Sequence, residues 1–341
     1  MYKRVIDEIG SEFWEPEMPG DVKYLLAGRT ALEFIIRDII AKQDIKSVLM
    51  PSYCCHTMIM PFKLHDIDVR FYDVYYDHGL RVELPEQKDN EIFYYIKYFG
   101  YEALQGDAGV HEITIEDQTH SWMNGIASKA DYTFVSYKKW TNISGLSKAK
   151  KKRGKFIDAP LIEFRAFDEL REKAYNLKKQ YIERGVGDKS VFLDAFDRAE
   201  ELIETDYCGY GPSQRSLERL LEFDPKLIRE ERRRNAEYLI DELKQIPQVQ
   251  VIYASVGDND VPLFVPILVQ ERNELRRYLI QRKIFLPVHW PFSDHHTGIS
   301  RRARQLYDHE LSVICDQRYG LDDMQRIVLA IRDFYSGSND G

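Results

Sequence analysis

From Ala27 to Val135 the chain repeats one unit, a short apolar run followed by polar or helical sequence, and this rhythm limits it to very few folds. Ala31 to Ile40 carries Leu32, Ile35, Ile36 and Ile39 at helical spacing, directly after the turn-like Ala27-Gly28-Arg29-Thr30. Five runs follow that suit buried strands: Ser47–Met50, Val69–Tyr72, Ile92–Ile96, Glu112–Ile115 and Tyr132–Val135. Strands that alternate with helices build a parallel sheet with right-handed crossovers. The expected class is therefore α/β.

The rest of the chain changes rhythm. Leu161 to Leu243 is charged and mostly helical, with a long amphipathic stretch over Leu227–Leu243. After Pro247 the pattern runs strand (Val249–Tyr253), strand (Leu263–Leu268), helix (Glu271–Gln281), strand (Ile284–Val288) and closing helix (Leu321–Tyr335). In a chain of 341 residues this predicts a large α/β domain with connecting helices over 1–245 and a small C-terminal α+β domain over 246–341.

Composition removes several functions. A net charge of -8 argues against nucleic-acid binding, and the one basic run, Lys148 to Lys155, reads as a solvated loop or hairpin tip. Cys54, Cys55, Cys208 and Cys315 have neither a disulfide framework nor metal-ligand spacing, and His295 with His296 lacks a second ligand cluster, so no metal site is expected. No apolar leader core and no membrane-length apolar stretch is visible, which gives the expectation of a cytoplasmic protein that engages no membrane.

In an open α/β sheet, ligands sit at the carboxyl ends of the strands, so the polar residues after each strand carry the chemistry. Three such places stand out. Ile115-Glu116-Asp117 ends a strand in a carboxylate, which can keep a pyridine nitrogen protonated. Val135-Ser136-Tyr137-Lys138-Lys139-Trp140 ends the next in two lysines, either of which could supply an imine-forming amine, with Ser136 able to donate to a phosphate. Ala27-Gly28-Arg29-Thr30-Ala31 offers backbone N–H groups and a hydroxyl at a helix start, a phosphate cradle. Each has a plain structural alternative: Asp117 could cap a helix, and a lysine after a strand usually faces solvent. Together, in this order and spacing, acid, amine and cradle match the three ends of pyridoxal 5′-phosphate (PLP).

At this point the chain resembles the DegT/StrS family of PLP-dependent sugar aminotransferases, within fold type I of the aspartate-aminotransferase superfamily. The matching segments are Ala27–Leu32, Pro51-Ser52-Tyr53, Tyr98-Phe99-Gly100, Ile115–His120, Ser136–Trp140 and Arg232 to Asn235-Ala236, with His289-Trp290-Pro291 and Cys315–Tyr319 similar to distant members. The resemblance implies a three-layer PLP-transferase fold, and transfer of an amino group from a donor such as glutamate to a keto acceptor, a nucleotide-linked keto-sugar. It implies that Asp117 pairs with the pyridine nitrogen, that His120 lies near the cofactor's 3′-oxygen, that Gly28, Arg29 and Ser136 hold the phosphate with Thr30 in the same turn, and that Lys139 rather than Lys138 forms the Schiff base. It also implies a homodimer.

Departures are equally plain. The ring-stacking aromatic of many relatives falls on Cys55, so that stacking either passes to Tyr53 or His56 or is lost, and the Asn-x-Arg motif that reaches across family dimers is replaced by Tyr210-Gly211-Pro212-Ser213. Two other readings therefore stand beside transamination: another PLP reaction on the same scaffold, such as decarboxylation, elimination or acyl condensation, and a non-catalytic binding or regulatory relative. Arg318 fits either an acidic substrate or an anchor for the C-terminal domain.

Overall fold

The computed structural model describes residues 20–102 and 111–337. Strands β1 (Asp21–Leu25), β2 (Ser47–Pro51), β3 (Asp68–Tyr76), β4 (Leu80–Glu83), β5 (Glu91–Ile96), β6 (Ile113–Asp117), β7 (Tyr132–Ser136) and β8 (Ser147–Lys151) form one sheet in the spatial order β1-β8-β7-β6-β5-β2-β3-β4. The five strands read from the sequence are its parallel centre, β7-β6-β5-β2-β3. β2 and β7 are buried at every residue, as strands covered on both faces must be.

The sequence reading missed the margins. β8 pairs antiparallel with both β7 and β1, and β4 folds back on β3, so the sheet is mixed. The basic run expected as a solvated loop begins in β8: Ser147, Ala149 and Lys151 face inward while Lys148 and Lys150 point away, the two-residue period of a strand. Lys151 is tolerated inside because its ammonium lies 2.6 Å from Asp38.

Helix α1 (Gly28–Ile40) covers the sheet beside α2 (His56–Leu64). The connecting region holds α3 (Arg165–Arg184) and α4 (Lys189–Leu202), then α5 (Gln214–Leu221) and the long α6 (Pro225–Leu243), with β9 (Ile162–Glu163) and β10 (Tyr210–Gly211) as a minimal parallel pair. Beyond it, β11 (Gln250–Val251), β12 (Phe264–Leu268) and β13 (Glu310–Ile314) make a three-stranded antiparallel sheet with α7 (Arg272–Gln281), α8 (Arg301–His309) and α9 (Leu321–Gly337). The strand expected over Val249–Tyr253 shrinks to two residues. The one expected over Ile284–Val288 is irregular backbone: Ile284 and Leu286 are core residues, but Pro287 has no N–H to give a ladder, and only its carbonyl is used, by the Ser312 N–H at 3.0 Å.

Two motifs join this C-terminal portion to the large sheet. Gly100, at φ +87°, lies so close to Val261 that a Cβ would fall 2.0 Å from the Val261 carbonyl, and Phe99 and Gly100 carbonyls accept the Leu263 and Val261 N–H groups. Arg232 and Asn235 on α6 then clamp the turn at Cys315–Tyr319, Arg232 through Gln317 and the Leu263 carbonyl, Asn235 through the Tyr319 carbonyl at 2.8 Å. Arg232 also lies 4.8 Å over the Trp140 ring.

Candidate active site

Asp117 closes β6 and is buried. Its Oδ2 accepts from the Tyr94 hydroxyl on the neighbouring β5 at 2.9 Å, and its Oδ1 from the Thr119 N–H at 2.8 Å. Burial pushes its carboxyl above the usual range, against the opposing hydrogen bonds from Thr119 and Tyr94 and the charge of Lys139.

One strand over, β7 runs straight into a single 3-10 turn, Tyr137–Lys139, which sends the two lysines apart. Lys138 reaches Glu200 on α4 at 2.7 Å, in a network shared with Arg171 at 3.1 Å and Arg29 at 3.6 Å. Although burial opposes ionisation of Glu200, these three cations hold its carboxyl down to about 2. Lys139 is exposed and, among the described residues, has no ion-pair partner; its charge acts on Asp117, His120 and His289 together. Trp140 fixes the turn by donating its indole N–H to the Thr119 carbonyl at 2.6 Å.

The helix start read as a cradle has unused donors. Ala27 caps α1 without a side-chain hydrogen bond, and the first N–H used in the helix is that of Ala31, so those of Gly28, Arg29 and Thr30 remain for a ligand. A Cβ on Gly28 would sit 3.3 Å from the Ser136 Cβ, which brings β7 against the helix start. The Ser136 and Thr30 hydroxyls are buried and without a hydrogen-bond partner. The Arg29 guanidinium turns away to the Ile203 carbonyl at 2.8 Å and Glu200, so only its backbone faces the cradle.

Histidines and aromatics wall the site. His120 is stacked on Trp290 at 5.4 Å, its Nδ1 accepts the Phe99 N–H at 3.3 Å, and burial, then the Lys139 charge, pushes it down to about 3. It is thus neutral with its proton on Nε2. Tyr53 is locked in the core between Tyr98, Trp290 and Tyr307, its hydroxyl on the His289 carbonyl. Cys55 caps α2 with its sulfur 3.1 Å from the Thr57 hydroxyl, and the half-buried His56 ring faces His295 at 6.2 Å. Two clefts meet at Lys139, one of about 380 Å³ bounded by Phe264, Arg276 and Phe285, the other of about 1060 Å³ running along α3 and α5. Arg318 borders both but is paired to Asp316 at 2.6 Å.

The sequence reading singled out neither Tyr94, Thr119 nor Glu200 as site residues. Tyr94 and Glu200 reach the site from other elements, a pairing no local pattern announces. Ser312 and Glu310 were also passed over, and His289 was noted only within a resembling segment, although polar residues two apart in the apolar run Glu310-Leu311-Ser312-Val313-Ile314 mark one polar face of a buried strand.

No protein-family model and no curated protein matches the sequence. Solved structures do match over nearly the whole chain. Helicobacter pylori PseC, an aminotransferase involved in the biosynthesis of pseudoaminic acid, superposes with a TM-score of 0.63 at 12% identity, over 93% of this chain and 87% of that one. A DegT DnrJ EryC1 StrS aminotransferase from Brucella abortus gives 0.59 at 16%, over 92% and 85%, and the sugar aminotransferase CalS13 from Micromonospora echinospora gives 0.58 at 15%, over 92% and 87%. The chain shares the fold of these proteins, an α/β fold with a large mostly parallel sheet.

Proposed function

We propose that this chain is a PLP-dependent aminotransferase that moves an amino group from an amino-acid donor such as glutamate to a keto-sugar, nucleotide-linked at its far end. The observation that carries the reading is a pair of unmet needs at adjacent strand tips. Ser136 and Thr30 hold buried, unpartnered hydroxyls at an uncapped helix start, and a buried carboxyl, Asp117, shares its field with the unpaired Lys139. These residues fit the cofactor's phosphate, ring nitrogen and aldehyde respectively.

When bound, PLP supplies an electron sink for charge developing on the substrate carbon. Asp117 would hold the proton on the ring nitrogen, with Tyr94 and Thr119 orienting its carboxyl. The N–H groups of Gly28, Arg29 and Thr30 and the hydroxyls of Ser136 and Thr30 would bind the phosphate. Lys139 would hold the cofactor at its aldehyde end, and its Nζ would accept and return the proton of the substrate's α-carbon. Lys138 is tied to Glu200 and would balance charge behind it. His120 Nε2 would donate to the ring hydroxyl, and Cys55 and His56 would border the ring.

For the acceptor, the larger cleft offers Lys178, Lys179 and Arg219 beside Tyr175 and Phe223, groups that suit phosphates and a flat base. Exposed apolar side chains at Ile162, Ile182, Leu221 and Leu227 support a homodimer, and the free cysteines support a cytoplasmic setting. In the test, protein titrated with PLP should gain a visible absorbance band that Lys139→Ala loses and Lys138→Ala keeps. Glutamate should then bleach it, and a keto-sugar acceptor restore it. A protein that stays colourless with PLP in excess ends this reading.

A further inference from the structure

Behind the wall of the site, His289 is tied to two polar residues of β13. Its Nδ1 lies 2.8 Å from the Ser312 hydroxyl, the Ser312 hydroxyl contacts Glu310 Oε1, and Glu310 Oε2 accepts the His289 backbone N–H at 2.7 Å. All three residues are buried. The His120 ring lies 5.6 Å from that of His289 and edge-on, Phe264 lies at 4.7 Å, and the Lys139 charge acts on both imidazoles. Among the described residues, His289 Nε2 makes no hydrogen bond. The alternate residues of β13, Leu311 and Val313, are apolar core, so the polar pair occupies one face of a buried strand.

We infer that Glu310, Ser312 and His289 form a proton relay that opens on Lys139, in which the protonation of Glu310 sets whether His289 Nε2 is a donor or an acceptor towards that amine. Its catalytic use rests on the function proposed above, whereas its chemistry does not. With Glu310 protonated, Oε1–H donates to Ser312 Oγ, the Ser312 proton is aimed at His289 Nδ1, and the imidazole proton sits on Nε2. With Glu310 ionised, Ser312 donates to Oε1 and accepts from Nδ1–H, so Nε2 presents a lone pair.

The transfer is balanced at each bond. When His289 Nε2–H passes its proton to a base beside Lys139, the Ser312 proton moves to Nδ1 and the Glu310 proton moves to Ser312 Oγ. Glu310 ends as the carboxylate, the imidazole stays neutral, and the reverse sequence reloads it. Groups around the relay suit this. Burial pushes Glu310 up to about 8 against the hydrogen bonds of Ser312 and His289 and the charge of Arg272 on α7, so both forms are reachable near neutrality. Burial, then Lys139 and His120, holds His289 well below its ordinary value, which disfavours the imidazolium. Tyr53 is the other titratable neighbour, and burial with the nearby Glu310 keeps its phenol neutral.

Nitrogen-15 NMR of histidine-labelled full-length protein, free of cofactor, tests the relay, with the His289 signal assigned by its loss in His289→Gln. The Nε2–H form should predominate well below pH 8 and give way to Nδ1–H above it. Glu310→Gln, whose amide N–H donates to Ser312 while its oxygen keeps the His289 N–H, should lock Nε2–H at every pH; Ser312→Ala should uncouple the tautomer from Glu310. In the PLP-loaded enzyme, Glu310→Gln should slow the donor half-reaction by about a hundredfold and remove its pH dependence around 8. A single tautomer across the range in the unaltered protein, or a switch that survives Glu310→Gln, overturns the relay. A switch in protein that never binds PLP leaves the relay standing and removes the function proposed above.

Discussion

β7 and α1 run side by side between two buried carboxylates. At the amino-terminal end of β7, Asp38 accepts from Lys151 and Lys42, each at 2.6 Å, and from the Tyr132 hydroxyl and the Ile157 N–H, each at 2.8 Å. At the carboxyl end, Asp117 is held by Tyr94 and Thr119, and no cation touches it among the described residues. Burial works against ionisation of both; four donors overcome it at Asp38 and hold that carboxyl below the usual range, whereas at Asp117 burial prevails and the carboxyl is raised. One end of the strand is closed by its own side chains. The other is held by two neutral donors and no cation, the arrangement on which the proposed cofactor site rests.

Stability and activity should therefore separate along β7. Asp38→Asn leaves Lys151 buried without its carboxylate and should lower the unfolding free energy by about 3–5 kcal/mol in denaturant titration while PLP affinity stays unchanged. Because the folded Asp38 is depressed, its contribution is complete above the unfolded carboxylate value and is lost as pH falls through the folded one. Acid should thus unfold the natural chain through a step missing from Asp38→Asn. Asp117→Asn should do the reverse. A raised carboxyl costs folding at neutral pH, so the cofactor-free variant should match or exceed the natural chain in denaturant, while turnover falls about 10²–10³-fold. If both variants lose stability equally, the two ends are alike and the contrast fails.

Legibility in the sequence followed the same division. The five parallel strands and α1 could be read because each carries its own apolar run, and the positions of Asp117, Ser136 and Lys139 at strand ends could be read from where those runs stop. β8 hid because its outward lysines look like a solvated run, while its ladders to β7 and β1 and the partner of Lys151, Asp38, 113 residues away, leave no mark in the local sequence. Lys138 and Lys139 were inseparable by residue chemistry alone; in the structure Lys138 is paired with Glu200, delivered by α4, and Lys139 is not. Tyr94 supports Asp117 only through strand register, and Glu310 meets His289 across a bend that reads as a strand until Pro287 is set against β13.

The smallest predicted effect isolates the contrast best, because it compares one residue type with itself. Ser136 and Ser147 are direct partners across the β7–β8 register, both buried. Ser147 donates to the Val135 carbonyl at 2.6 Å; Ser136 Oγ has no partner. Ser147→Ala removes a made hydrogen bond and should cost about 1 kcal/mol of unfolding free energy without changing PLP affinity. Ser136→Ala removes a hydroxyl that is desolvated for nothing in the empty fold, so cofactor-free stability should hold or rise slightly. It also removes a donor to the phosphate, so PLP affinity should fall about tenfold, near the lower end of what a hydrogen bond to a charged group contributes. Measuring both variants by denaturant and by PLP titration gives four numbers, and the reading requires them to cross: Ser147 acting only on folding, Ser136 only on binding. Equal losses in both assays would mean that the Ser136 hydroxyl is satisfied within the fold and that the phosphate is held elsewhere.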